Sequence, residues 1–171
     1  VHVVNASRLQ GNINNSGTIS GGQNGILISD ESTVSGVINL AGATVTGGEN
    51  GINVIYESTV ENSIDNYGTI TGALHGIYVT EAYVSEINTY AGSIINGGIE
   101  AISTDVNIHG GVINGAINAD SVNILEDVSF NMNHTITAND VINAGNLVIG
   151  NSLRTIAGNY SQNSSGVLEI S

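Results

Sequence analysis

The chain has 171 residues, 15 carboxylates and only two cations, Arg8 and Arg154, for a formal net charge of −13; it contains no Pro, Cys, Trp or Lys. That balance excludes nucleic-acid binding, which needs Lys and Arg to displace counterions from phosphates, and attraction to an anionic membrane surface. The missing cysteines exclude disulfides and thiolate sites, and no apolar run reaches the ~18 residues of a membrane-spanning helix, so direct membrane insertion is not expected.

β-Branched residues dominate the apolar set, and Gly, Asn, Ser and Thr fill most of the rest. Apolar residues never recur at i, i+3, i+4 over a long window, so the pattern is that of strands and turns. The first predicted segments are Asn12 to Asn14, Thr18 to Ser20, Ile26 to Ser29 and Thr33 to Ser35. The same succession returns about 25 residues later, with Ile38-Asn39-Leu40-Ala41-Gly42 and Thr44-Val45-Thr46-Gly47-Gly48. It returns again with Ile64-Asp65-Asn66-Tyr67-Gly68-Thr69-Ile70-Thr71-Gly72. A looser copy holds Ile87-Asn88 and Ala91-Gly92-Ser93-Ile94.

A period of this length means a solenoid or a propeller. Propeller blades need longer, hairpin-linked strands. Segments this short form a sheet only by pairing with their own copies in the next coil, which predicts an all-β parallel β-helix with coils about 4.8 Å apart. The residue types align in columns. Ile13, Ile38, Ile64, Ile87 and Ile113 are expected to form one inward ladder, and Ile19, Val45, Ile70 and Ile94 a second. Ile26, Ile52, Ile77 and Ile102 form a third, each after Gly or Ala. Val34, Val60 and Val84 form a fourth, continued by Val106 or Ile108. A polar ladder of Asn14, Asn39, Asp65, Asn88 and Asn114 runs beside the first, its amides stacked to steady the turns. After residue 109 the repeat shortens: Ile117 to Val122 and Ile136 to Val141 suggest coils nearer 20 residues. The expectation is one domain over 1–171, with regular coils over 1–109 and shorter ones over 110–171. It has about seven coils, in a rod roughly 30–35 Å long. Val1 is read as the start of an excised or processed fragment.

The closing stretch is Ile156-Ala157-Gly158-Asn159-Tyr160-Ser161-Gln162, then Ser165-Gly166-Val167-Leu168-Glu169-Ile170. It resembles the Gly-[Asp/Asn]-Tyr-[Ser/Thr]-Gln…Gly-x-Leu-x-[Ile/Val] segment that passengers of pertactin-like autotransporters carry late in their β-helix. The upstream Asn-x-Gly-Thr-Ile-[Ser/Thr]-Gly units are similar to the repeats of the same group. The resemblance implies a right-handed β-helix exported across the outer membrane of a Gram-negative bacterium and held on the cell surface. Its own C-terminal β-barrel would be the translocator, absent from this stretch. The function implied is adhesion, with a host-surface protein, a glycan or the same protein on a neighbouring cell as partner. The alternatives are a stalk presenting a more N-terminal domain, and a polysaccharide-active enzyme.

No catalytic constellation supports the enzyme reading. There is no Lys, and neither Arg8 nor Arg154 lies near an Asp cluster in sequence. The Gly-Asp-Ser-Gly and Gly-x-Ser-x-Gly nucleophile turns are both missing. No cofactor is expected, and none of His2, His75, His109 and His134 shares a metal-ligand spacing with another. Two sets of residues stand out. Glu31, Glu57, Glu81 and Asp105 occupy one repeat position and would stack once per coil, repelling by about 0.9 kcal/mol per neighbouring pair in bulk water. Such a column is a solvated, solubilising edge, with weak calcium binding or docking of a basic partner as the sharper alternative. The second set is Tyr56, Tyr67, Tyr78, Tyr83 and Tyr90, crowded into the middle coils. His75, which replaces Asn24 and Asn50 in the repeat, is expected in a turn. These six are the candidate binding surface.

Overall fold

The computed structural model describes residues 1–150 and 153–170. Every strand pairing is parallel, and each strand pairs with its copy one coil away, giving a β-solenoid of about seven turns. Each early coil has three faces. The first face carries His2–Val3, Asn24–Ile28, Asn50–Ile55, His75–Thr80 and Ile99–Ala101. The second carries Arg8–Asn15, Thr33–Asn39, Thr59–Asn66, Tyr83–Tyr90 and Asp105–His109. The third carries Thr18–Gly21, Thr44–Gly47, Thr69–Gly72, Ile94–Asn96 and Val112–Asn114.

The corner between the first and second faces is built from left-handed residues that are not glycine: Asn5 and Ala6, Asp30 and Glu31, Tyr56 and Glu57, then Glu81 alone. Side chains rarely adopt that backbone, so the stacking of one corner on the next must hold it. From residue 117 the corner disappears. Ile117–Ile124, Ile136–Asn143 and Ile156–Gln162 each run straight through both faces, and a new third face forms from Ser129–Met132, Asn146–Ile149 and Val167–Ile170. Stacked Asn pairs follow the change: Asn15–Asn39 and Asn39–Asn66 are 24 and 27 residues apart, Asn88–Asn107 and Asn107–Asn123 only 19 and 16.

The core is a set of aliphatic ladders, but their membership differs from the sequence expectation. The inward ladder of the second face is Ile13, Val37, Ile64, Ile87, Val106, Val122 and Val141. Ile38 instead lies in register with Asn14 and Asp65, and Ile113 stacks on Ile95 in the third face. For Ile38 the cause is a register shift in the second-face strands, between Leu9 and Asn12, Val34 and Val37, and Val84 and Glu86. A slip of one residue exchanges the inward and outward sets. In the third face Ile95, not Ile94, follows Ile70. In the first face Ile99 follows Ile77, and Ile102 stands 57% exposed. Val34, Val60 and Val84 do stack. Neither Val106 nor Ile108 continues them, since these pair with Ile87 and Thr89. A further ladder escaped the periodicity: Ile28, Val54 and Val79, then Ala101, Ala119 and Ala138. Its shrinkage from Ile to Ala accompanies the loss of the corner.

The polar ladder splits into two, one residue apart. The buried one is Asn15, Asn39 and Asn66. Asn15 Nδ2 donates to Asn39 Oδ1 and Asn39 Nδ2 to Asn66 Oδ1, both at 2.9 Å. The other, carrying Asp65, Asn88, Asn107 and Asn123, lies on the outward side of the strands, where its neighbours leave Asn88 itself buried, while Asn114 donates to Asn96 on the third face. The column Gly25, Gly51 and Gly76 is fixed by close approach: a Cβ on Gly51 would lie 2.5 Å from Ile70 Cγ2 and 2.6 Å from Gly76 O.

The closing segment makes a clasp. Asn143 Nδ2 donates to Tyr160 Oη (3.1 Å) and Val167 O (2.8 Å), Tyr160 Oη donates to Gln162 Oε1 (3.0 Å), and Gln162 Nε2 donates to Gly166 O (2.9 Å). Tyr160 also packs against the core. A Cβ on Gly158, which has φ +147°, would collide with Ala138 O.

Candidate functional site

Strand alternation sends every second residue of the second face outward, and the parallel register turns these residues into columns along the rod. One holds Ser63, Glu86, Asp105 and Ser121; the next holds Asp65, Asn88, Asn107 and Asn123. Their side chains are tied together. Asp65 accepts from Ser63 Oγ (2.8 Å) and Asn88 Nδ2 (2.9 Å). Glu86 accepts from Asn88 (3.1 Å) and Asn107 (2.9 Å). Asn107 and Asn123 donate onward to the amide oxygens of Asn88 and Asn107, at 3.0 and 2.9 Å. Asp105 accepts from Ser121 at 2.7 Å. Neutral amides and hydroxyls satisfy these carboxylates without cancelling their charge, so the face is both rigid and acidic.

Two residues further along the same strands lies an aromatic column. Tyr67 and Tyr90 stack with ring centroids 4.0 Å apart and planes 8° from parallel, and His109 stacks on the other side of Tyr90 at 4.7 Å and 15°. Leu40 and Leu125 extend the column at its two ends, as the Tyr67 N–H to Asn39 O and Leu125 N–H to Ile108 O bonds show. Because the rings cover one another, they offer their edges to solvent rather than open faces. The Tyr90 phenol is held above its ordinary pKa of 10, first by burial, then by the Tyr67 hydroxyl and the negative charges of Asp65 and Glu86.

Of the residues singled out from sequence, Tyr67 and Tyr90 therefore meet. His75 and Tyr78 form a second, smaller pair on the first face, stacked at 4.8 Å. His75 opens a strand rather than sitting in a turn: its place is in register with Asn50, on an amide ladder running from Asn24. Asn50 Nδ2 donates to Asn24 Oδ1 (3.2 Å), which turns Asn50 Oδ1 toward His75 Nδ1, 3.1 Å away. Tyr56 and Tyr83 are separate and exposed. His109 was missed. It belongs to the Tyr67–Tyr90 column, but its coil is shorter, so no fixed period aligns it.

The acidic set is also redrawn. The Glu31 N–H donates to Tyr56 O and the Glu57 N–H to Glu81 O. In a parallel ladder that places Glu31 over Glu57, and Glu81 over Tyr56. Asp105 leaves the column altogether, pairing with Glu86 on the second face. The cause is the corner, which loses a residue between Tyr56 and Tyr83. What remains is a recess of about 210 Å³ lined by Asp30, Glu31, Tyr56, Glu57 and Glu81. Among the described residues no three His, Cys, Asp or Glu side chains gather closely enough to hold a metal ion.

No family model matches this chain, and no curated protein or solved structure shows significant similarity to it.

Proposed function

We propose that the chain is an adhesive segment of an autotransporter-type passenger, displayed on a bacterial surface and binding a partner across its second face. The observation that carries this reading is the tied array of Asp65, Glu86, Asn88, Asn107 and Asn123 bordered by the Tyr67–Tyr90–His109 column. An array already fixed by hydrogen bonds loses little freedom on binding, and Tyr is a favoured interface residue. The absence of cysteine and the closing Gly158–Ile170 segment support the export route. The net charge of −13 opposes contact between two copies, and stacked rings leave little open face for a sugar. Both favour a host-surface protein with basic groups as the partner.

The test is display of residues 1–171 on a non-adherent bacterium, with host-cell attachment measured across a salt series. Attachment above empty cells that weakens as salt rises is expected. Attachment equal to empty cells would refute the adhesive role.

A further inference from the structure

We propose that Tyr67 and Tyr90 are a site of oxidative cross-linking, where a one-electron oxidant (peroxide acting through a peroxidase) joins the two rings into dityrosine and ties adjacent coils covalently. The reaction balances simply. Each phenol gives up one electron and one proton, the two radicals form a carbon–carbon bond between positions ortho to the hydroxyls, and the rings rearomatise by moving the ortho hydrogens to oxygen. One peroxide is reduced to two waters.

Coupling of tyrosyl radicals is ordinarily limited by two short-lived species having to meet. Here the rings already stack at 4.0 Å with planes 8° apart, which holds the two phenol rings face to face before either is oxidised. Holding reactants in contact makes the step effectively unimolecular. The pair lies on an outward column at the edge of a strand, and Tyr67 is 36% exposed, open to an oxidant. His109 covers the opposite face of Tyr90, which leaves Tyr67 as its nearest phenol. The carboxylates of Asp65 and Glu86 lie close enough to act on the Tyr90 hydroxyl, and negative charge there favours loss of an electron. The other tyrosines lack this arrangement. Tyr78 stacks on a histidine, Tyr160 is engaged with Gln162 and Asn143, and Tyr56 and Tyr83 have no stacked aromatic neighbour.

The experiment treats the purified chain with hydrogen peroxide and a haem peroxidase, then denatures it and cleaves after glutamate. Cuts after Glu61, Glu81, Glu86 and Glu100 release Tyr67 on residues 62–81 and Tyr90 on residues 87–100. The expected product is a monomer in which these two peptides are joined with the loss of two hydrogens, fragmentation placing the bond at Tyr67 and not Tyr78. It should show dityrosine fluorescence, with a yield independent of protein concentration. Tyr67→Phe and Tyr90→Phe keep the ring stack and should each lower the intramolecular yield at least tenfold, while Tyr78→Phe and Tyr83→Phe leave it unchanged. Dityrosine that persists in Tyr67→Phe, or that forms mainly between molecules, would overturn the proposal.

Discussion

Replacing Asn39 by Ala removes the middle link of the buried amide ladder. Asn39 is fully buried. Its Nδ2 donates to Asn66 Oδ1 (2.9 Å) and Thr69 O (3.1 Å), and its Oδ1 accepts from Asn15 Nδ2 (2.9 Å). The three bonds contribute about 0.5–1.5 kcal/mol each, so their loss should cost about 2–4 kcal/mol. In a chain of this size that lowers the melting midpoint by about 5–15 °C. Asn14 is the control. The sequence pattern puts it in the same ladder as Asn39, but it is exposed and out of register with it, since Asn39 pairs with Asn15. Asn14→Ala should therefore cost no more than about 0.5 kcal/mol. Thermal and urea unfolding followed by circular dichroism measure both variants. Equal losses, or a larger loss for Asn14→Ala, would refute the buried register.

Ile99→Ala should destabilise by about 2–5 kcal/mol, because Ile99 is 2% exposed in the inward column. Ile102→Ala should be near neutral by the same unfolding measurement; the reverse order would restore the register read from sequence. The raised pKa of Tyr90 makes a pH prediction. Above pH 10 the unfolded tyrosine releases its proton while the folded one keeps it, so stability falls as pH rises. The melting midpoint of the native chain should drop more steeply between pH 10 and 11 than that of Tyr90→Phe, and parallel curves would count against the burial of that hydroxyl.

The coil was legible because its signal is local. Ile and Val recur beside Gly and Asn at a nearly constant period, and Val34, Val60 and Val84 stack as their spacing indicates. Ile26, Ile52 and Ile77 do the same. The candidate face was legible only in part. Tyr67 and Tyr90 stood out as aromatics in a chain almost without them. Their contact with each other depends on coils of unequal length, and His109 joins them only because its coil is shorter still.

The sequence by itself determined that this chain coils, that its interior is aliphatic and that its surface is acidic. Those properties follow from residue type and spacing. The tertiary structure alone decided which of two adjacent residues faces inward. A parallel strand alternates every residue, so one shifted register on the second face sends Ile38 out and Val37 in, and separates Asn14 from Asn39. It also decided where the corner ends. The left-handed turn at Asp30–Glu31 and Tyr56–Glu57 dwindles to Glu81 and then vanishes. That change removes Asp105 from the acidic column and sets it beside Glu86, on the face where Tyr67, Tyr90 and His109 meet.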